Sequence, residues 1–197
     1  MIKIIEDLKD ALKTLPGIGE KSAQRLALYI LSQDKETASQ LGETIINSIA
    51  LVQNCQVCNM LTDINPCVFC SDPTRSDKQL CIVENTADVF MVESTNEFSG
   101  KYFVLSNLLS PIDGFGPSDI HIDELLRRIY DFGIEEVIIA LSPSVEGETT
   151  ISYIADRLAD WQGNISRLST GLPFGGDLEY SNKITIANAL KHRFNVK

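Results

Sequence analysis

Cys55-x2-Cys58 and Cys67-x2-Cys70 place four thiols within sixteen residues, the two pairs separated by eight. Each pair can set two thiolates on one tetrahedral ion, and the short gap lets both pairs share it. Zn²⁺ is the default, because four sulfur ligands leave no open position for chemistry and make the ion structural. A redox CxxC or an iron–sulfur centre are the rival readings; two paired CxxC elements in so short a stretch favour one zinc per chain. A segment of this length lacks a core of its own, so metal binding would supply its folding energy. Cys81, inside the apolar run Leu80–Val83, reads as a small buried hydrophobe.

A second constellation is built from backbone. Leu15-Pro16-Gly17-Ile18-Gly19 joins two amphipathic runs. Gly17 and Gly19 permit a tight turn with exposed amides, and the helix that begins near Glu20-Lys21-Ser22 points its N-terminal dipole the same way. Together they can hold one backbone phosphate without reading base sequence. Lys21 and Arg25, four apart and off the apolar stripe, can reach neighbouring phosphates. Read alone, the same string is equally an ordinary helix–turn–helix connection with two solvated cations.

The third is acidic. Glu84 closes an apolar run, and Ser142-Pro143-Ser144-Val145-Glu146-Gly147-Glu148 follows another. Ligand groups of open parallel sheets gather at such strand ends. The plain alternative for Glu84, Glu146 and Glu148 is solvation at helix starts, where acids are favoured by the dipole. His121 and His192 are the two histidines, with no cysteine or serine motif beside either, which leaves little material for a Ser-His or Cys-His nucleophile.

Three kinds of element must hold these groups. Ile5, Leu8 and Leu12, then Ala23, Leu26, Ala27, Ile30 and Leu31, then Ala38, Leu41, Ile45, Ile49 and Val52 recur at helical spacing, so residues 1–54 read as all helix. Residues 55–78 are polar, cysteine-rich and loop-like. From 79 onward, strand-type runs at 80–84, 102–105 and 137–141 alternate with helical stretches at 121–132 and 148–160. That alternation implies a mostly parallel sheet covered on both faces. A Gly/Pro-rich loop at 171–180 and a closing helix at 184–193 follow. The fold class is α/β, divided into a helical module (1–54), a four-cysteine module (55–78), a sheet domain (79–170) and a C-terminal segment (171–197).

With 197 residues and 44% hydrophobic content, the chain can bury one substantial core plus small appended modules. The apolar runs are too short to span a membrane, and acids in the first turns argue against a signal peptide, so the cytoplasm is expected. Net charge is −10, yet residues 1–55 carry only −1 of it. DNA contact therefore belongs to the N-terminal part, and the acidic remainder to protein partners or solvent.

The string Leu15-Pro16-Gly17-Ile18-Gly19-Glu20-Lys21-Ser22-Ala23-Gln24-Arg25-Leu26-Ala27 resembles the helix-hairpin-helix motif of DNA repair proteins. The sheet region resembles the Toprim domain of topoisomerases, primases and related nucleases. In catalytic members a strand-end Glu works beside a D-x-D within D-P-D-R-E-G-E. Glu84, Pro143, Glu146, Gly147 and Glu148 match their places, whereas Ser142 and Ser144 stand for the two Asp and Val145 for the Arg. Neutral hydroxyls are poor ligands for a hard cation, so no nuclease, primase or topoisomerase activity is expected.

Hairpin, four-cysteine module and Toprim domain in this order resemble the RecR family over essentially the whole chain. The strings Leu109-Ser110-Pro111-Ile112-Asp113-Gly114-Phe115-Gly116-Pro117 and Gly171-Leu172-Pro173-Phe174-Gly175-Gly176-Asp177-Leu178-Glu179-Tyr180 carry the likeness further. The chain departs from the family pattern at Ser76, Phe103 and Asn182. The resemblance implies a bacterial, non-enzymatic recombination and repair mediator, associated with the nucleoid when it acts. It implies a tetrameric ring that encircles single- or double-stranded DNA with its hairpins, Gly17, Gly19, Lys21 and Arg25 facing the DNA. Its partners would be RecO and RecF, with Glu84, Glu146 and Glu148 contacting RecO, and its task the loading of recombinase onto single strands at gaps and breaks. Two other readings stand beside it. One is a Toprim enzyme holding Mg²⁺ through the three glutamates. The other is a nucleotide binder using the glycines at 171–176, for which no GxGxxG or P-loop string follows a strand.

Overall fold

In the computed structural model, which describes residues 2–169, 171–172, 175–193 and 195, the chain forms two compact units, residues 1–52 and 53–197. The first unit holds α1 (Lys3–Lys13), α2 (Glu20–Ser32) and α3 (Lys35–Leu51). Ala23 and Ala27, one turn apart on α2, are fully buried and allow α1 and α2 to approach closely. Asp34 caps α3, accepting from the Thr37 amide at 2.9 Å.

The helical reading of residues 53–54 does not hold. Gln53–Asn54 form β1, paired antiparallel with β2 (Leu61–Thr62). The cysteine-rich stretch also contains one helical turn, α4 (Val68–Ser71).

The second unit is built on a four-stranded parallel sheet of order β4-β3-β5-β6, from β3 (Ser76–Val83), β4 (Gly100–Val104), β5 (Glu136–Ala140) and β6 (Asn164–Arg167). Its helices are α5 (Thr86–Glu93), α6 (Ile122–Asp131) and α7 (Val145–Arg157), with α8 (Lys183–Lys191) near the C-terminus. Strand periodicity sorts the core. Leu80, Ile82, Phe103, Val137 and Ile139 join Leu125, Ile129, Ile154 and Leu158 on one face. Cys81, Val83, Tyr102, Val104 and Ala140 join Val89, Met60 and three of the paired cysteines on the other. The cysteine-rich stretch, expected to lack a core of its own, thus helps cover the second face of the sheet.

Candidate nucleic-acid interface and metal centre

Gly17 turns the chain with φ +78°, a left-handed conformation that costs glycine little. Ile18 donates its amide to the Leu15 carbonyl at 3.1 Å and closes the turn. Gly19 is the N-cap of α2 and supplies no side-chain acceptor, while its carbonyl accepts from the Ala23 amide at 2.9 Å. The first amides of α2 are therefore left without an internal partner and face outward with the positive end of the helix dipole. A Cβ at Gly17 or Gly19 would meet nothing within 4 Å, so the open space over the hairpin is available to a ligand. Lys21 and Arg25 are exposed on the same helix.

One residue of the hairpin opposes an anion, and the fold deals with it. Glu20, in the first turn of α2, lies 2.8 Å from Lys9 and 2.6 Å from Lys13. Lys9 also meets Glu6 at 2.5 Å and is only 7% exposed. Hydrogen bonds from Lys13 and then Lys9 draw the Glu20 carboxyl down to about 2, and the bonds to Glu20 and Glu6 raise the Lys9 ammonium above its ordinary value. This α1–α2 clasp was not foreseen from the sequence. Its signal was there: Lys9 falls at i+4 from Ile5 and i+1 from Leu8, inside the buried stripe.

The four cysteines converge. All four Sγ atoms lie within 4.8 Å of one another, and Cys58 and Cys67 are 3.5 Å apart. A tetrahedral ion with Zn–S bonds of roughly 2.3 Å would set its sulfurs about 3.8 Å apart, so the donor set fits a metal. The knuckle is shaped by backbone: the Cys55 amide donates to the Met60 carbonyl, the Asn59 amide to the Cys55 carbonyl, and Asn59 takes φ 62°. Hydrogen bonds from Cys58 and then Cys70 lower the Cys67 thiol, while the bond to Cys67 raises Cys58. A dication held here would accept all four as thiolates. Cys81 stands apart in β3, its thiol pushed up to about 12 by burial.

Two cations tie this knuckle to the sheet. Lys101, 3% exposed, donates to the carbonyls of Phe69, Cys70 and Asp72 at 3.2, 3.1 and 2.8 Å. Arg75 grips both carboxylate oxygens of Glu93, donates to the Gly100 carbonyl, and lies over the rings of Phe69 and Tyr102. Tyr102 donates to the same Glu93. Sequence reading passed over all of these, because each joins residues far apart in the chain.

The acidic positions sit where the strand ends place them. Glu84 follows β3, whose Val83 is in register with Ala140 at the end of β5. It is partly buried, and desolvation followed by repulsion from Asp88 raises its carboxyl. Glu146 and Glu148 lie in the first turn of α7, and Glu148 pairs with Arg167 at 2.8 Å. Among the described residues the four cysteines are the one group of three or more metal-type ligands gathered around a point; the glutamates do not form such a group. Ser144 is the N-cap of α7 and accepts from the Gly147 amide at 3.0 Å. Buried Thr150 accepts from the Leu109 amide and donates to the Glu146 carbonyl, which seats the loop beginning at Leu109 against α7. In the last loop, Gly171 and Gly175 are described, whereas Pro173 and Phe174 lie outside the described residues.

Comparison with known proteins places this geometry. Residues 5–49 match the family model of the RecR helix-hairpin-helix, 78–169 that of the Toprim domain, and 171–193 that of the RecR C-terminal region. The recombination protein RecR of Tropheryma whipplei (strain TW08/27) is 45% identical over 192 residues, 98% of this chain and 97% of that protein. The RecR of Saccharophagus degradans is 46% identical over 190 residues, 96% of each. The chain belongs to the RecR family. A RecR-family chain has a role in DNA recombination and repair, and the hairpin, the parallel sheet and the four-cysteine cluster are the parts of this one that can serve it. No helix among the described residues is long and apolar enough to cross a membrane.

Proposed function

We propose that this RecR-family chain is a non-enzymatic, DNA-binding recombination and repair mediator of the cytoplasm, drawn to the nucleoid when it acts. It is an oligomeric clamp, a homotetrameric ring, working with RecO- and RecF-type proteins to load recombinase onto single-stranded DNA at gaps and breaks. The observation that carries the reading is the hairpin. Outward amides at the start of α2, the left-handed Gly17, and exposed Lys21 and Arg25 stand beside a Glu20 already neutralised by Lys9 and Lys13. Such a site takes a backbone phosphate of single- or double-stranded DNA without regard to base.

One hairpin per chain binds weakly, so useful affinity requires several copies on one assembly. Exposed apolar side chains support oligomerisation. α3 buries none of its residues and leaves Leu41, Ile45, Ile46 and Ile49 uncovered. Tyr180, Ile184 and Leu190 are exposed in the C-terminal segment 171–197, assigned to oligomerisation. The other divisions are a hairpin domain over 1–54, a zinc module over 55–78 and a Toprim domain over 79–170. Zn²⁺ held by Cys55, Cys58, Cys67 and Cys70 is structural.

Glu84, Glu146 and Glu148 form a docking face for a basic partner of RecO type. Ser142 and Ser144 leave no carboxylate at the positions of the metal-holding Asp pair, and Ser144 is engaged in capping α7.

The test is DNA binding by wild type and by Lys21→Ala/Arg25→Ala at low and moderate salt, with mass measured by light scattering in the same buffers. A multimer should bind, and the double variant should keep its mass while losing about tenfold or more in affinity. Unchanged binding by the variant would reduce the hairpin to a structural turn.

A further inference from the structure

A cavity of about 390 Å³ opens between the cysteine knuckle and α6, a size that accommodates a small organic ligand. Its notable occupant is Arg128. This side chain is 7% exposed, and its Nε is enclosed without a hydrogen-bond partner. Among the described residues it makes no ion pair. Its Cζ lies 4.3 Å from the centroid of the Phe132 ring, within cation–π range. A buried guanidinium without an acceptor is costly, and the fork of an arginine matches the two oxygens of a carboxylate or phosphate.

The rest of the lining suits a ligand with a charged head and an apolar body. Arg127 stands at the cavity as a second cation, with its charge partly answered by Glu124 at 3.5 Å. Glu124 and Asp131 also line it, so the two cations and two carboxylates of the lining balance formally, and the attraction for an anion rests on Arg128, which has no ion pair among the described residues. Phe103 and Phe132 supply apolar wall. Two of the four non-glycine residues with left-handed backbone among those described, Asn59 and His121, lie on this lining as well. Such conformations persist where the surroundings fix them, and they concentrate around binding sites.

We propose that the Arg128 cavity is a binding site for a small organic oxyanion, up to mononucleotide size, whose phosphate or carboxylate head is received by the Arg128 fork and whose body packs on Phe103 and Phe132. The site is independent of the DNA hairpin, and its occupancy would brace the cysteine knuckle against α6. Neither the glycines of residues 171–176 nor the strand-end glutamates take part.

The probes are inorganic phosphate, adenosine monophosphate and phenylacetate, titrated into the metal-loaded full chain while the Arg128 Nε–H resonance is followed by NMR. A single charged head in a preformed cavity supports a dissociation constant on the order of 1 mM, so titration to about 10 mM is sufficient. At least one organic probe should shift the Nε–H signal and saturate. A response to the monophosphate alone assigns a phosphate head, and one to phenylacetate alone a carboxylate head. Arg128→Lys, which keeps the charge and loses the fork, should weaken that probe at least about tenfold. Arg127→Gln, on the exposed rim, should fold normally and weaken it several-fold. No saturable shift with any probe would overturn the proposal, as would a shift with inorganic phosphate only, or equal affinity in the folded Arg128→Lys chain.

Discussion

Replacing Gly147 by alanine sets two effects against each other. Gly147 is the third residue of α7, at a φ that any residue can adopt, and alanine is the better helix former by at most about 1 kcal/mol. Propensity alone would make Gly147→Ala stabilising. The packing says otherwise. A Cβ built there would sit 1.9 Å from the Ser142 carbonyl oxygen, with the Ser142 carbonyl carbon at 3.1 Å and Ser144 Oγ at 3.3 Å. Ordinary contact requires roughly 3.4 Å, so helix and loop must separate by about 1.5 Å, and the clashing atom is backbone that cannot swing away. Overpacking of this kind costs about 2–3 kcal/mol, which leaves a net loss of about 1–2 kcal/mol. For a unit of this size each kcal/mol lowers Tm by roughly 2–4 °C, so a drop of about 2–8 °C is expected by calorimetry on the metal-loaded protein. The strain falls between the loop that ends at Ser144 and the first turn of α7, which carries Glu146 and Glu148, so binding of the proposed RecO-type partner should weaken while hairpin-mediated DNA binding persists. A Tm equal to or above wild type would refute the reasoning, since propensity would then have outweighed the close approach.

Two other outcomes follow from the site geometry. Chelation of the metal, or Cys58→Ser, should remove one equivalent of zinc per chain by elemental analysis and lower the melting transition, because three of the four ligands belong to the buried layer on the sheet. Acid should loosen the α1–α2 clasp: the Glu20 carboxyl is held near 2, below its ordinary 4.5, so its contribution is complete above about pH 4.5 and is lost as pH falls through about 2. Wild-type helicity followed by circular dichroism should show that loss, and Glu20→Gln should be weaker at neutral pH and insensitive across the window. Lys9, whose ammonium is raised, retains its contribution up to its ordinary value of 10.5 and loses it only at higher pH.

The groups legible in the sequence were those whose chemistry is local. The CxxC pairs, the two-glycine turn and the serines in an otherwise acidic string are contiguous, and short-range spacing fixes what each can do. The parallel sheet was legible too, because strands buried on both faces read as unbroken apolar runs such as Val137–Leu141. Elements with one partner or one covered face were not. β6, Asn-Ile-Ser-Arg, is a half-polar edge strand paired only with β5. β1 and β2 are two residues each. The polar start of β3 at Ser76 extends the strand beyond its apolar run through an irregular register against β4. Arg75, Lys101 and Arg128 carry no local signal of burial; it is decided by partners 18 to 32 residues away for the first two and by the cavity lining for the third.

The clasp also bears on how this family member meets DNA. Lys9 and Lys13 would be counted as phosphate contacts by a reading of charge alone, yet both are committed to Glu20. That leaves Lys21 and Arg25 as the cations beside the hairpin amides. Two neutralised phosphates per hairpin give a salt dependence of log K against log salt of about −1.8 on duplex DNA, or about −1.4 on a single strand. The measured slope divided by this increment counts the hairpins engaged at once. An assembly using all four hairpins of a tetramer should approach about −7 on duplex, and one using a pair about −3.6. Lys13→Ala should leave the slope unchanged while weakening binding through the freed Glu20. A Lys13→Ala slope on duplex shallower by about 0.9 for each hairpin engaged would show instead that Lys13 itself touches phosphate, and that the clasp opens when DNA binds.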